Sequence, residues 1–296
     1  MTDSVDAVRE RIPANLVVDD TALQLIDLAL EEDRGAGDWS TRWTVPARTR
    51  VTAAITAKAT GVISGVALAA AAFLRLDPRV EFDIAAADGT LVQPGDEVMR
   101  LRGPGRAVLT GERVALNFLQ RLSGVATLTR RFVDAIEGTR ARILDTRKTT
   151  PGWRALEKAA VRAGGGMNHR QGLYDMVMIK ENHAAIAGGI TEAVRRVRDH
   201  NDESLPIIVE VHSPQDLDAA LAAGVDQLLL DNMDTRTMAD IMKRVKKLRP
   251  RPKIEASGNM SLERVREVAE TGVDFISVGA LTHSAPAFDL SLRIIR

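Results

Sequence analysis

Six short apolar runs, alternating with helical stretches, set the tightest limit on what this chain can fold into: Ile143–Asp145, Met176–Ile179, Ile207–Val211, Gln227–Leu230, Lys253–Ala256 and Asp274–Val278. Between them lie helical segments such as Thr191–His200, Ser213–Ala222, Thr235–Leu248 and Ser261–Glu270. A strand that is apolar along its length must be covered on both faces, and strands that alternate with helices build parallel βαβ units. The second half of the chain is therefore expected to be α/β, as a barrel or an open doubly wound sheet. No G-x-G-x-x-G follows any of these strands, so a dinucleotide-binding turn is not supported.

The first half reads differently. A helix is expected over Asp20–Glu32, with Leu23, Ile26 and Leu30 on one stripe, ending at Gly35-Ala36-Gly37-Asp38. A strand over Val51–Ala59 and an alanine-rich helix over Val66–Leu76, stopped by Pro78, come next. Short strands at Val80–Ile84 and Glu97–Leu101 are separated by turns at Asp88-Gly89 and Pro94-Gly95-Asp96. This is the pattern of a small α+β domain with an antiparallel sheet. Composition shifts at Gly103-Pro104-Gly105, and a long helix is expected from about Thr110, interrupted at Ser123-Gly124. Residues 1–16 read as a loose lead-in.

The C-terminal ends of the six runs carry the chemistry. They present Arg147-Lys148, Lys180, Glu210, Asp231-Asn232, Ser257-Gly258 and Gly279, with His169-Arg170 after the run Gly164-Gly165-Gly166. In a barrel these ends converge on one face, where active sites are built. Cations at Arg147, Lys148, His169, Arg170 and Lys180, with no run of acids nearby to neutralise them, suit an anionic substrate. The helix residues Arg154, Glu157, Lys158 and Arg162 are expected to form a solvated face. Small residues closing the last two strands let backbone N–H groups approach a phosphate. Glu210 and Asp231 suit Mg²⁺ or sugar hydroxyls, or else simply pair with the cations. His212 and His283 read as polar lining.

Other classes are excluded by charge and composition. Forty basic residues balance forty acidic ones, which argues against a general nucleic-acid or membrane binder. The absence of cysteine removes disulfides and thiolate metal sites. The start, MTDSVDAVRE, lacks an apolar core for a secretory signal, and Val66–Leu74 is too short to span a bilayer, so a cytoplasmic location is expected. Two chemistries remain open on the residues alone. Lys180 could form a Schiff base, or the cations could hold carboxylates while the acids and a metal handle a sugar phosphate.

A resemblance decides between them. EEDRGAGDWST (Glu31–Thr41), GERVALNFLQRLSGVAT (Gly111–Thr127), DTRKTTPG (Asp145–Gly152), GGGMNHRQGLYD (Gly164–Asp175), IKENH (Ile179–His183), LLLDNM (Leu228–Met233), EASGNM (Glu255–Met260) and VGALTHS (Val278–Ser284) follow one another in order. In this set the chain resembles the quinolinate phosphoribosyltransferase family. The resemblance implies an incomplete parallel α/β barrel over 113–283 and an N-terminal α/β sandwich over 1–112, completed by 284–296. It implies that quinolinate and phosphoribosyl pyrophosphate give nicotinate mononucleotide, pyrophosphate and CO₂, with Mg²⁺. Arg113, Arg147, His169 and Arg170 would hold the quinolinate carboxylates, with Lys148 and Lys180 beside them. Glu210 and Asp231 would hold ribose hydroxyls or metal, and Ser257, Gly258, Gly279 and His283 the 5′-phosphate. Homodimers, or a hexamer, would share sites, with Arg113 serving the neighbouring chain. Trp39, Trp153, Ala160 and His212 depart from the residues common at those places; His212 stands where an acid or its amide is usual. A desolvated cationic pocket built for two carboxylates should penalise a monocarboxylate by about 3–5 kcal/mol.

Overall fold

A computed structural model describes residues 18–295; the expected lead-in and the reading of the N-terminus as lacking a signal lie outside these residues. In chain order the first elements are α1 (Asp20–Arg34), α2 (Trp39–Thr44), β1 (Arg50–Ala57), β2 (Gly61–Val62) and α3 (Val66–Leu76). Then come β3 (Glu81–Ile84), β4 (Leu91–Val92), β5 (Glu97–Pro104), α4 (Gly105–Ala135), β6 (Arg142–Leu144), α5 (Arg154–Ala163), β7 (Val177–Ile179), α6 (Glu181–Ala187) and α7 (Ile190–His200). The chain continues through β8 (Ile207–Val211), α8 (Pro214–Ala223), β9 (Gln227–Asp231), α9 (Thr235–Val245), β10 (Lys253–Ser257), α10 (Leu262–Glu270), β11 (Phe275–Ser277), α11 (Ala280–His283) and β12 (Leu290–Ile295).

Two compact units emerge. Of the described residues, the first comprises 18–128, 155–165 and 285–295, and the second 129–154 and 166–284. In the first, an antiparallel sheet runs β12-β1-β5-β3, so the last strand returns to the edge of β1. Helix α3 is apolar on every side, and Ala69 to Phe73 are wholly buried. An all-apolar helix is stable only when surrounded. Its N-terminus has no side-chain cap of its own, since Gly65 sits there in the left-handed region. Asp88 supplies the cap from the far turn, accepting the Gly65 and Val66 N–H groups at 3.0 Å.

Two expectations for this unit are corrected. Helix α4 begins at Gly105 and runs unbroken through Ser123-Gly124 to Ala135. Gly124 is there for close packing: a Cβ would overlap the carbonyl oxygen of Pro286. Ser123 is buried and accepts the Ser64 N–H at 2.9 Å, so its hydroxyl is used in packing against β2's flank and not in breaking the helix. The charged residues of α5 do not form a solvated face either. Glu157 and Lys158 are buried, with Arg121 of α4 lying 3.6 Å from the Glu157 carboxylate. Arg162 alone of the set is exposed, and Arg154 donates to Thr149 Oγ1 at 3.1 Å and the Gln171 carbonyl at 3.2 Å. Buried charges persist because they are paired.

The second unit carries a six-stranded, fully parallel sheet in the order β6-β11-β10-β9-β8-β7. Among the described residues no pairing joins β6 to β7, so the sheet is an incomplete barrel. Each strand forms where an apolar run was read, with Ile208, Val209, Leu228, Leu230, Ile254, Ala256 and Ile276 wholly buried. Ser213 and Asp234 cap α8 and α9 with their side chains, and Gly224 ends α8 in the left-handed region. These caps fix where each helix starts after its strand, and so fix the strand-end loops. The run Gly164-Gly165-Gly166 follows the end of α5, where Gly165 takes φ +89°.

Candidate active site

The strand ends of the second unit open into a cleft of about 410 Å³. Arg147, Lys148, His169, Arg170, Lys180, Glu210, Asp231, Ser257 and Gly258 line it, together with Glu255, Asn232 and Ser277. Gly279 and His283 sit beside this lining. A Cβ on Gly279 would lie 3.1 Å from Lys148 Cδ and 3.2 Å from His283 Nε2. Thr282 of α11 donates to the Lys148 carbonyl at 2.8 Å, tying the last strand's loop to the first. Arg113 belongs to the first unit, is exposed on α4, and is not among the cleft's lining residues.

The positive side of the cleft is uneven. Arg170 is 8% exposed and donates to the Met176 carbonyl at 3.0 Å. Burial, and then the like charge of Arg147, pull its guanidinium pKa below the ordinary value, with Asp175 opposing. Arg170 stays cationic, but at a cost that an incoming anion relieves. Arg147 and Lys148 are exposed. The Lys180 side chain is 52% exposed, with Nζ 3.2 Å from Glu210 Oε2. A half-exposed, ion-paired ammonium is the opposite of the dry site that activates a Schiff-base lysine.

The opposite side gathers acceptors. Glu210 Oε1 is 3.0 Å from His212 Nε2. One ligand atom each from Glu210, His212 and Asp231 lies within 4.8 Å of the others. The Asn232 amide donates to Asp231 Oδ2 at 2.8 Å, orienting that carboxylate. His212 thus lies close enough to Glu210 and Asp231 for the three to reach one cation together.

The turns after β9 and β10 are strained together. Asn232 and Asn259 take φ +53° and +45°, and Gly258 takes φ +97°. Any Cβ at Gly258 would overlap the Asn232 side chain, and Asn232 N–H donates to the Ser257 carbonyl at 3.0 Å. Left-handed non-glycine residues clustered at strand ends are typical of functional loops.

Sequence reading missed two carboxylates that build this site. Asp145 is wholly buried and accepts the His169 N–H at 2.8 Å and the Asn168 amide at 2.5 Å. Glu255 is wholly buried in β10, where Ser277 and Gln227 both donate to it. The signal was present: an acid inside an apolar strand must have partners.

Known proteins share this architecture. Residues 38–123 match the model of the quinolinate phosphoribosyl transferase N-terminal domain, and 125–293 that of the C-terminal domain. A probable nicotinate-nucleotide pyrophosphorylase [carboxylating] of Synechocystis is 46% identical over 90% of both chains. The Mycobacterium leprae nicotinate-nucleotide pyrophosphorylase [carboxylating] is 43% identical over 93% of this chain and 98% of its own. The solved nicotinate-nucleotide pyrophosphorylase of Francisella tularensis superposes with a TM-score of 0.90 at 37% identity, covering 95% of this chain and 98% of that one. With both family models spanning most of its length, this chain belongs to the quinolinate phosphoribosyltransferase family.

Proposed function

We propose that this chain is a quinolinate phosphoribosyltransferase of NAD biosynthesis. It joins the pyridine nitrogen of quinolinate to the ribose of phosphoribosyl pyrophosphate, releasing pyrophosphate and CO₂. One observation carries the reading: Arg147, Lys148, Arg170 and Lys180 share a single cleft with Glu210 and Asp231. A planar dicarboxylate calls for forked guanidinium partners, which Arg147 and Arg170 supply. Lys148 and Lys180 add charge beside them. Pyrophosphate leaves with the electron pair of the C1′–O bond as the ring nitrogen bonds to C1′. The C–CO₂ bond then breaks, its pair remains on the ring carbon next to nitrogen, and a proton replaces CO₂. Fixed cations near that carbon stabilise the developing negative charge without rearranging.

Glu210 and Asp231 would hold Mg²⁺ or the ribose hydroxyls, and Ser257, Gly258, Gly279 and His283 the 5′-phosphate. The donor set fits Mg²⁺, which is bound through one or two carboxylates with substrate phosphates completing the shell. His212 adds a nitrogen to that set. When bound, the ion would neutralise charge on the departing pyrophosphate. The working assembly is a homodimer, in the cytoplasm, in which Arg113 of one chain serves the other's cleft.

The reading is tested by ligand discrimination. Quinolinate should bind, phthalate should compete with it, and nicotinate should bind weakly. The penalty is smaller than a fully desolvated pocket would impose, because only Arg170 of the four arginines and lysines is buried. A partly exposed cation left without its partner costs about 1–3 kcal/mol, or roughly tenfold to a hundredfold in affinity. Calorimetric titration measures all three; nicotinate binding as tightly as quinolinate would sink the dicarboxylate reading.

A further inference from the structure

We infer that Glu255 is a positioning residue: it holds the His169 proton on Nε2 and, through that ring, fixes the backbone of Arg170. The inference rests on the reading of the cleft as a dicarboxylate site. Glu255 lies in the middle of β10, between Ile254 and Ala256, and is wholly buried while lining the cleft. A charged group in such a place must be fully partnered. Gln227 at the start of β9 donates to Oε2, and Ser277 at the end of β11 donates to Oε1. His169 Nε2 stands 3.3 Å from the same Oε2.

The other edge of the imidazole is also engaged. His169 Nδ1 accepts the backbone N–H of Arg170 at 2.6 Å. A ring nitrogen that accepts carries no proton, so a neutral ring bears its proton on Nε2, facing Glu255. Asp145 grips the same turn from below, accepting the His169 N–H at 2.8 Å. Two buried carboxylates thus hold one residue, one at its backbone and one at its ring.

This changes the role that family resemblance assigns to His169. Nδ1 is taken by the Arg170 N–H, and Nε2 is buried 3.3 Å from Glu255 Oε2, outside hydrogen-bond geometry with it, so the one N–H of a neutral ring lies against a buried carboxylate. Its side chain is only 7% exposed. What it controls is its neighbour: Arg170 enters the cleft from a backbone N–H pinned to Nδ1, and its guanidinium is braced on the Met176 carbonyl at 3.0 Å. Glu255 therefore acts on binding of the anion through His169 and Arg170.

The test uses ¹⁵N-histidine-labelled full-length protein, which has only five histidines to resolve. Long-range ¹H–¹⁵N spectra report which ring nitrogen is protonated, and a His169→Gln sample assigns the signal. The expected wild-type pattern is protonated Nε2 and bare Nδ1. In Glu255→Gln that preference should be lost, and KM for quinolinate should rise by about tenfold to a hundredfold while kcat moves far less. Glu255→Asp should recover part of both. A wild-type His169 protonated on Nδ1 would overturn the inference even if no variant folds. So would a Glu255→Gln protein with unchanged ring spectrum and unchanged KM. A wild type inert toward quinolinate would instead sink the functional reading, and the ring spectra would still decide the positioning role.

Discussion

Arg147 and Arg170 come from loops after different elements, yet the like charge of one is felt by the other. Arg170 is buried and braced, whereas Arg147 is exposed and free to meet a ligand's geometry. Replacing Arg147 by Lys should therefore cost nearly as much as replacing it by Ala, because an ammonium cannot match the two-pronged contact with a carboxylate. Both variants should lose about tenfold or more in kcat/KM for quinolinate. Steady-state kinetics decide the point, and near-normal activity in Arg147→Lys would mean that charge alone suffices. At this scale the sequence was informative about residues at strand ends, because their place follows from where an apolar run stops. It was silent about Asp145 as an anchor and about Glu255, whose partners Gln227, Ser277 and His169 lie far apart in the chain. No local spacing rule brings those four together: the parallel register of β9, β10 and β11 brings Gln227 and Ser277 to Glu255, while His169 comes from the loop before β7, held there by Asp145.

Elements were legible in proportion to how much one face decided them. The six parallel strands were found because burial on both faces leaves a continuous apolar run. Helix α4 was expected to break at Gly124 because glycine was read as a breaker, but here the absent side chain admits the carbonyl of Pro286. Helix α5 was expected to be solvated because charge is usually exposed, but Glu157 faces Arg121. One buried pair offers a test of how the sheet is held. Arg251 grips Asp274 with two bonds of 2.7 Å, and Asp274 also accepts the Ile254 N–H of β10 at 2.9 Å. Burial alone would raise the Asp274 pKa, but the Arg251 and Ile254 hydrogen bonds outweigh it and hold it below the usual carboxylate value. A depressed pKa contributes stability above the unfolded value, near pH 4, that is lost as pH falls through the folded value. Asp274→Asn should cost roughly 2–4 kcal/mol at pH 7, because Arg251 is left half-desolvated. The difference from wild type should shrink toward pH 3. Denaturant melts at the two pH values measure it, and a gap of equal size at both would contradict the ion-pair account.

At the scale of the whole molecule, no helix among the described residues is long and apolar enough to cross a membrane. The parallel sheet was readable from periodicity and the antiparallel sheet from the pattern of short strands and turns; that the first is an incomplete barrel and that β12 joins the second followed only from family resemblance. Sharing of sites between chains has its own test. If Arg113 serves a partner's cleft, Arg113→Ala and Asp231→Ala proteins should each be nearly inactive. Mixed and allowed to exchange, they should regain up to about a quarter of wild-type activity, since one cleft in each mixed dimer carries neither change. No recovery despite proven exchange would put Arg113 to work in its own chain. The central claim is the coupling of decarboxylation to ribosyl transfer, and release of labelled CO₂ from quinolinate carrying the label in its 2-carboxylate tests it most directly. CO₂ should appear only when phosphoribosyl pyrophosphate is present, in step with nicotinate mononucleotide and pyrophosphate. No release, or release that proceeds equally without phosphoribosyl pyrophosphate, would contradict it.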